Sequence, residues 1–386
     1  MFRSLVSHNE DIRRLVEKGY AIGFDSEYLI VRDIPYLDQN KNLQIGAFVS
    51  KLVFVDKYRV KLQNHEIFFC GSHPHQIDGT QIRNLGGGPV GLPLSAPDLV
   101  VERSFSNKPQ NDFRDLFEKI ESYVTLIAGP AMNLFSVNPY TFRVSEEITE
   151  SVFNYQDTLT SLAELGDLSA NFKEEVVAII GLGGTGSYVL DFLSKTPIKE
   201  IRCFDADDYH VHNAFRSPGR MDETDFGKSK AEVYGDRYST FRKGILMYQK
   251  FVQGDSTEDL DGVTFVFVCV DSGPSRLEIF DLLFKMKIPF IDVGMGLDRA
   301  TGPIGGMLRA VYYSPEEGNE EEVKRSVPLS DAPGNEYRTN IQIAELNALN
   351  ACFAVIKYKQ IRGYFSSDGN WKNLLFTVKD LHAVTQ

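Results

Sequence analysis

Residues 177–188 read Val-Ala-Ile-Ile-Gly-Leu-Gly-Gly-Thr-Gly-Ser-Tyr, an apolar run that enters a glycine turn. A turn of this kind between a strand and a helix suits a nucleotide. Glycine permits a tight bend, a close approach of backbone to phosphate, and packing of the new helix against the strand it leaves. The flanks supply both elements: EEVVAII is the strand and SYVLDFLSK the helix. IRCFDAD, FVFVCVD and IPFIDVG follow as further strands, apolar enough to be buried on both faces and separated by helical intervals. This alternation predicts an α/β fold, a doubly wound and mainly parallel sheet with helices on each side.

The chain before residue 146 has another character. Ser7 to Glu10 reads as a capping box before the helix DIRRLVEK, with Gly19 as its stop. EYLIVRD, GAFVSKLVFV, YRVKL and HEIFFCG are strand-like and lead into a Gly/Pro-rich loop, NLGGGPVGLPLSAPD. The helix expected from FRDLFEKIESYVTLIAG closes an N-terminal α+β domain over 1–145. Residues 146–386 form the α/β domain, with an acidic crossover loop at 314–340 and a C-terminal tail at 363–386.

With 386 residues, 42% of them hydrophobic, the chain is long enough for two cores. Its 53 acidic and 41 basic residues give a net charge of −12 with no long basic run, which argues against nucleic acid as a partner. No segment reads as a signal peptide or membrane span, so the expected location is cytoplasmic. Cys70, Cys203, Cys269 and Cys352 are scattered and expected to be reduced. Cys70, His73 and His75 have metal-binding side chains, but CGSHPH reads as a Pro-interrupted turn.

The turn alone does not separate hydride transfer from ATP chemistry. Both use its glycines, and both use an acid such as Asp205 to accept ribose hydroxyls. FDADDYHVHNAFRS, FGKSKAE and FVCVDSGPSR separate them. Together with GLGGTGS, these segments resemble the ThiF/MoeB/HesA superfamily, the Rossmann-like adenylation domain shared with ubiquitin-activating enzymes. The resemblance puts ATP at Gly181, Gly183, Gly184, Gly186, Asp205, Asp207, Asn213, Arg216 and Lys230, and Mg²⁺ at Asp271. Attack of a carboxylate on the α-phosphate brings like charges together, so cations such as Arg216 and Lys230 and a metal-holding acid are the residue types required. Taken singly, Asp271 could also be the cap of a helix starting at Ser272.

The resemblance further implies that the chain activates the C-terminal glycine of a ubiquitin-like protein, passes it to a conjugating-enzyme-like partner and acts as a homodimer. DIPYLDQN, GAFVSKLVF, FFCGSHPHQIDG and SFSNKP resemble the unassigned domain that precedes ThiF-like domains in bacterial ubiquitin-like conjugation operons, a setting that fits antiviral defence. This domain is expected to dock a protein partner.

Two departures stand out. Many relatives carry an acyl-accepting cysteine in the crossover loop, whereas this loop has none: either the protein stops at the adenylate, as MoeB-like enzymes do, or a hydroxyl replaces the thiol, with Ser326, Ser330 and Thr339 as the candidates. Thr339 precedes the helical segment NIQIAELNALNA, where a helix N-terminus would favour developing negative charge, and Ser330 is its competitor. Cys352 reads as a core residue of that helix. The nearest match to the family's γ-phosphate arginine is Tyr155, so either Arg143 or another arginine takes the role or the phosphate contacts are reduced. Two other readings stand beside ubiquitin-like activation: a small-substrate or tRNA-modifying adenylating enzyme, and a silent nucleotide-binding scaffold.

Overall fold

The computed structural model describes residues 2–143, 151–155, 157, 165–299, 302–330, 341–369 and 371–386. The chain divides into two compact units, Met1–Gly166 and Asp167–Gln386.

The first unit is an antiparallel sheet of strands β1 (Ala21–Asp25), β2 (Tyr28–Leu37), β3 (Leu43–Phe54), β4 (Val60–Leu62), β5 (Ile67–Cys70), β6 (Gly88–Pro89) and β7 (Arg103–Phe105). Their order is β1-β2-β3-β5-β7-β6, with β4 added to β3. The helices Glu10–Lys18 and Leu116–Ile127 cover one face, where Ile12, Leu15, Val31, Phe48, Phe69, Ile120 and Tyr123 share a core. The Gly/Pro-rich loop packs on the other face, Leu92, Leu94 and Leu99 resting on Ile30, Ala47, Val49 and Val101.

The expected cap at Ser7 is corrected. Ser7 lies inside a short helix, Phe2–His8, and Asn9 is the N-cap of the next one. Even there the Asn9 side chain works at longer range: it donates to the Leu5 and Tyr58 carbonyls (2.7 and 2.8 Å) and accepts from the Val60 amide (2.9 Å). Gly19 does stop the helix, at φ 101°. In the CGSHPH turn, His73 Nδ1 bonds to the Pro74 carbonyl oxygen at 2.8 Å and the His75 ring lies edge-on to it.

The second unit holds β8 (Val176–Ile180), β9 (Glu200–Phe204), β10 (Ile245–Tyr248), β11 (Phe265–Val268), β12 (Phe290–Asp298), β13 (Gly305–Tyr313), β14 (Asn373–Thr377) and β15 (His382–Thr385). They are arranged β10-β9-β8-β11-β12-β13-β14-β15. The first five are parallel. Chain direction across the sheet therefore reverses between β8 and β11, and the carboxyl ends at such a switch point open into a crevice. One face packs against Gly184–Ser194, Lys230–Ser239 and Ala344–Ile361, the other against Gly273–Met286 and Glu320–Ser326.

Three features of this unit differ from the sequence reading. β13 to β15 are antiparallel, so residues 363–386 are no loose tail: two strands within them extend the sheet. The crossover region carries the helix Glu320–Ser326, whose first turn holds Glu320, Glu321 and Glu322 and whose last holds Lys324 and Arg325. That order complements the helix dipole and explains why an acidic run is helical here. The helix expected from Asn340 begins only at Ala344. Of the described residues, none lies in a helix long and apolar enough to cross a membrane.

Candidate functional site

The glycines of the turn between β8 and Gly184–Ser194 have separate tasks. Gly181 sits at φ 94°, and a Cβ there would lie 2.8 Å from the Cys269 carbonyl oxygen. Gly186 lets the helix approach the strand, since its Cβ would lie 1.9 Å from the Gly181 oxygen. A Cβ on Gly184 would strike the Asn347 amide at 2.2 Å. Gly183 alone of the four faces open space, with nothing within 4 Å of where a Cβ would sit. Three glycines are thus required by the fold, and the fourth leaves room where phosphate would meet the helix N-terminus.

Asp205 follows β9 directly and is 8% exposed. One carboxylate oxygen accepts from the Leu182 amide at 2.6 Å and the other from the Asp207 amide at 2.9 Å. Lys230 Nζ lies 3.2 Å from Asp205 and 2.7 Å from Asp207. Lys230 opens the helix Lys230–Ser239, behind a Ser229–Glu232 capping box. A cation is disfavoured at a helix N-terminus, so the two carboxylates are what hold this lysine, 5% exposed, in place. Asp205 therefore organises the glycine turn and the lysine, while the Asp207 side chain, 61% exposed, presents its carboxylate outward.

Asn213 is buried in the turn Val211–Ala214, where its side-chain oxygen accepts from the His210 amide at 2.8 Å. Arg216, three residues on, is half-buried with Nε unpaired. Burial holds its guanidinium below the ordinary value, and the Asp271, Tyr234 and Asp207 charges oppose that shift. Arg216 is thus within electrostatic reach of two acids from different strand ends. His212 joins this group: burial, then the Arg216, His210 and Lys230 charges, hold its imidazole below the usual value.

Asp271 is exposed at the end of β11. The capping reading of it is corrected, because Ser272 is the N-cap of Gly273–Met286 and its hydroxyl accepts from the Ser275 amide.

Sequence reasoning missed Asn347, 1% exposed on Ala344–Ile361. It accepts from the Thr185 hydroxyl at 3.0 Å and donates to the Arg216 carbonyl at 3.4 Å, tying the glycine helix to the arginine segment. Also missed was a buried ion group beneath the crossover. Asp292, fully buried, pairs with Arg276 Nε at 2.8 Å and Arg309 Nη2 at 2.6 Å. Arg276 also donates to the carbonyls of Val270 and Pro328, and so holds the chain just before Asp271 and just before Ser330. Only the alternation of charged with apolar residues in FIDVG and MLRAV hinted at this.

Of the crossover hydroxyls, Ser330 is exposed and its backbone crowds Gly273, whose Cβ would lie 2.7 Å from the Ser330 nitrogen. Ser326 ends a helix and donates to the Glu322 carbonyl at 2.9 Å. Thr339 lies outside the described residues, and the helix start proposed beside it is five residues further on. Cys352 is half-buried, not core, with burial pushing its thiol up. Tyr155 and Arg143 pair by a backbone bridge within the first unit, and Arg143 lies 3.6 Å from Asp33. Among the described residues, no cluster of three or more His, Cys, Asp or Glu is arranged to hold a metal.

Open glycine backbone, a half-buried arginine with an unpaired nitrogen, a buried lysine and outward-facing acids near the carboxyl ends of parallel strands are the groups from which an α/β fold can build a nucleotide site. Residues 156–360 match the ThiF family, and the chain belongs to it. Residues 10–158 match DUF6791, a domain of unknown function. The chain is 26% identical over 147 residues to tRNA threonylcarbamoyladenosine dehydratase of Haemophilus influenzae, covering 36% of this chain and 56% of that protein. It is 26% identical over 237 residues to ubiquitin-like modifier-activating enzyme 5 of Arabidopsis thaliana, covering 56% of this chain and 53% of that protein. The matched region thus spans about half the length of each relative. The crystal structure of PaaA aligns with 70% of this chain and 82% of its own, at 19% identity and a TM-score of 0.46.

Proposed function

We propose that the chain adenylates a carboxylate at the expense of ATP, and that this carboxylate is the C-terminal glycine of a ubiquitin-like protein. The observation that carries the reading is that Asp205, which accepts from the Leu182 amide beside the open Gly183, shares Lys230 with Asp207, while Arg216 feels the charges of both Asp207 and Asp271. The glycine turn receives the triphosphate, and Asp207 faces the ribose hydroxyls. Arg216, its Nε unpaired, offsets charge at the α-phosphate as the substrate oxygen bonds to phosphorus and the bond to the β-phosphate oxygen breaks, releasing pyrophosphate. Lys230 is already neutralised by two acids, so it contributes where ATP draws Asp207 toward the ribose and loosens that pair. Asp271 would be the residue to hold Mg²⁺, which would supply further charge neutralisation on the phosphates.

The similarity to a ubiquitin-like modifier-activating enzyme supports the protein substrate. The similarity to a tRNA-modifying dehydratase supports a second reading, against which stands the net charge of −12. The proposal includes a homodimer, a cytoplasmic location, a conjugating-enzyme-like recipient and a part in antiviral defence. Any covalent enzyme–modifier adduct is an oxyester at Ser330 or Thr339. Such an adduct survives excess thiol and yields to hydroxylamine, and it is lost in Ser330→Ala or Thr339→Ala but not in Cys352→Ala.

The deciding experiment is ATP–pyrophosphate exchange with a ubiquitin-like protein ending in glycine, against tRNA. Exchange is expected only with the protein and Mg²⁺. Asp271→Ala abolishes it, and Lys230→Ala slows it by roughly 10²-fold. Exchange driven by tRNA establishes the second reading; ATP binding with no exchange under any condition establishes the scaffold.

A further inference from the structure

The N-terminal unit contains a pocket of about 410 Å³ that adenylation does not use. It lies between the sheet and the end of the Gly/Pro-rich loop and is lined by Arg32, Asp33, Ala47, Cys70, Asp98 and Glu102, together with Ile45 and Val100. Successive residues of a strand ordinarily point to opposite faces. Here Arg32 and Asp33 line the same pocket because a bulge intervenes: Val31 pairs with Phe48 and Ile34 with Gly46, so both residues stand opposite Ala47. Asp33 takes φ 60° to achieve this, an unfavourable conformation for a residue with a side chain.

The loop wall is tethered by the same bulge. Arg32 grips Asp98 with two bonds of 2.6 and 3.2 Å, and Ser95 donates to Asp25 at 3.0 Å. Beneath the loop, Leu92, Leu94 and Leu99 rest on the sheet. Cys70 is a neutral wall, its thiol pushed up to about 12 by burial.

The charges within are unbalanced. One lining cation, Arg32, faces three lining acids and is engaged by Asp98. Asp33 accepts the Thr141 hydroxyl at 2.7 Å and lies 3.6 Å from Arg143. Glu102 has no ion-pair partner among the described residues. Beside these acids, Ile45 and Val100 are 60% and 64% exposed, two large apolar side chains lining the same pocket. Acids flanked by exposed apolar side chains are complementary to a cation carried between apolar groups. We infer that this pocket docks a protein partner by receiving a lysine or arginine side chain at Glu102 and Asp33, while apolar neighbours of that residue rest on Ile45 and Val100.

The test uses the full chain labelled at isoleucine and valine methyls, titrated to millimolar concentration with acetyl-Val-Lys-Val-amide and with the same peptide carrying norleucine for lysine. Saturable shifts at the Ile45 and Val100 methyls are expected with the lysine peptide. Binding should be about fivefold weaker for norleucine and for the Glu102→Gln chain, the size expected of a half-exposed ion pair. Glu102 is exposed, so this change leaves the fold intact; Val100→Ser, also exposed, weakens binding without touching a charge. Equal response to both peptides, no saturable shift, or shifts centred elsewhere would overturn the proposal. So would methyl shifts that depend on protein concentration without peptide, because the occupant would then be a second copy of this chain.

Discussion

At the scale of the residue, the glycine turn separates architecture from ligand. Gly186→Ala drives a methyl to 1.9 Å from a carbonyl oxygen in the middle of the turn, so it should lower stability by several kcal/mol or prevent folding. Gly183→Ala adds its methyl to empty space and should leave Tm nearly unchanged. ATP affinity should nevertheless fall by roughly tenfold or more, because that space lies at the helix N-terminus where the proposed function puts phosphate. Thermal melts paired with calorimetric ATP titration check both halves. Equal ATP binding by Gly183→Ala and wild type would remove the phosphate from this turn. The four glycines look alike in a sequence pattern; only their surroundings tell them apart.

At the scale of the element, buried cations fasten secondary structures together. Arg242, 2% exposed, donates to the carbonyls of Leu193, Ser194, Thr196, Ile198 and Lys243, and so satisfies the end of Gly184–Ser194 and the turn that follows. Arg242→Met strands these acceptors and should cost at least about 3 kcal/mol, read as a lower urea midpoint.

In the other unit Lys119 reaches from Leu116–Ile127 to the Ser50 hydroxyl (2.9 Å) and the carbonyls of Asn64 (3.1 Å) and Glu66. Burial lowers this lysine from its model-compound value of 10.5 to about 7. Between those values the unfolded chain holds a proton that the folded chain has released. Stability of this unit should therefore rise with pH from about 7 to about 10, by up to about 5 kcal/mol. Amide exchange of strands β3 and β5 against pH reads this slope, and Lys119→Met should remove it. A wild-type profile as flat as the variant's would mean that the three acceptors keep the lysine charged.

At the scale of the whole molecule, the chain is two units, each with its own core. The candidate nucleotide residues all fall after Asp167. Residues 167–386 alone should bind ATP with affinity within about threefold of the full chain, while transfer of an activated modifier to the next protein should fall. Unchanged transfer would remove the docking role from the N-terminal unit, and loss of ATP binding by a folded 167–386 chain would show that the first unit helps to build the site.

By itself the sequence determined what depends on neighbours along the chain. The run VAIIGLGGTGSY specifies strand, turn and helix because its apolar spacing and its glycines act over a few residues. The order of Asp205, Asn213, Arg216, Lys230 and Asp271 marked the candidate site for the same reason, each being tied to a strand end or turn legible locally. Tertiary structure decided what depends on residues far apart in the chain. The Thr185–Asn347 bond spans 162 positions, and Arg202 of β9 reaches the Asp259 carbonyl across 57. The Arg276–Asp292–Arg309 group exists only because a helix and two antiparallel neighbours bring three charges to one sheet face. β14 and β15 are short segments whose strand state comes from the edges offered to them, that of β13 to β14 and that of β14 to β15. Sequence pattern carries local steric preference and burial period, whereas pairing across the fold is set by which surfaces the packed elements present to one another.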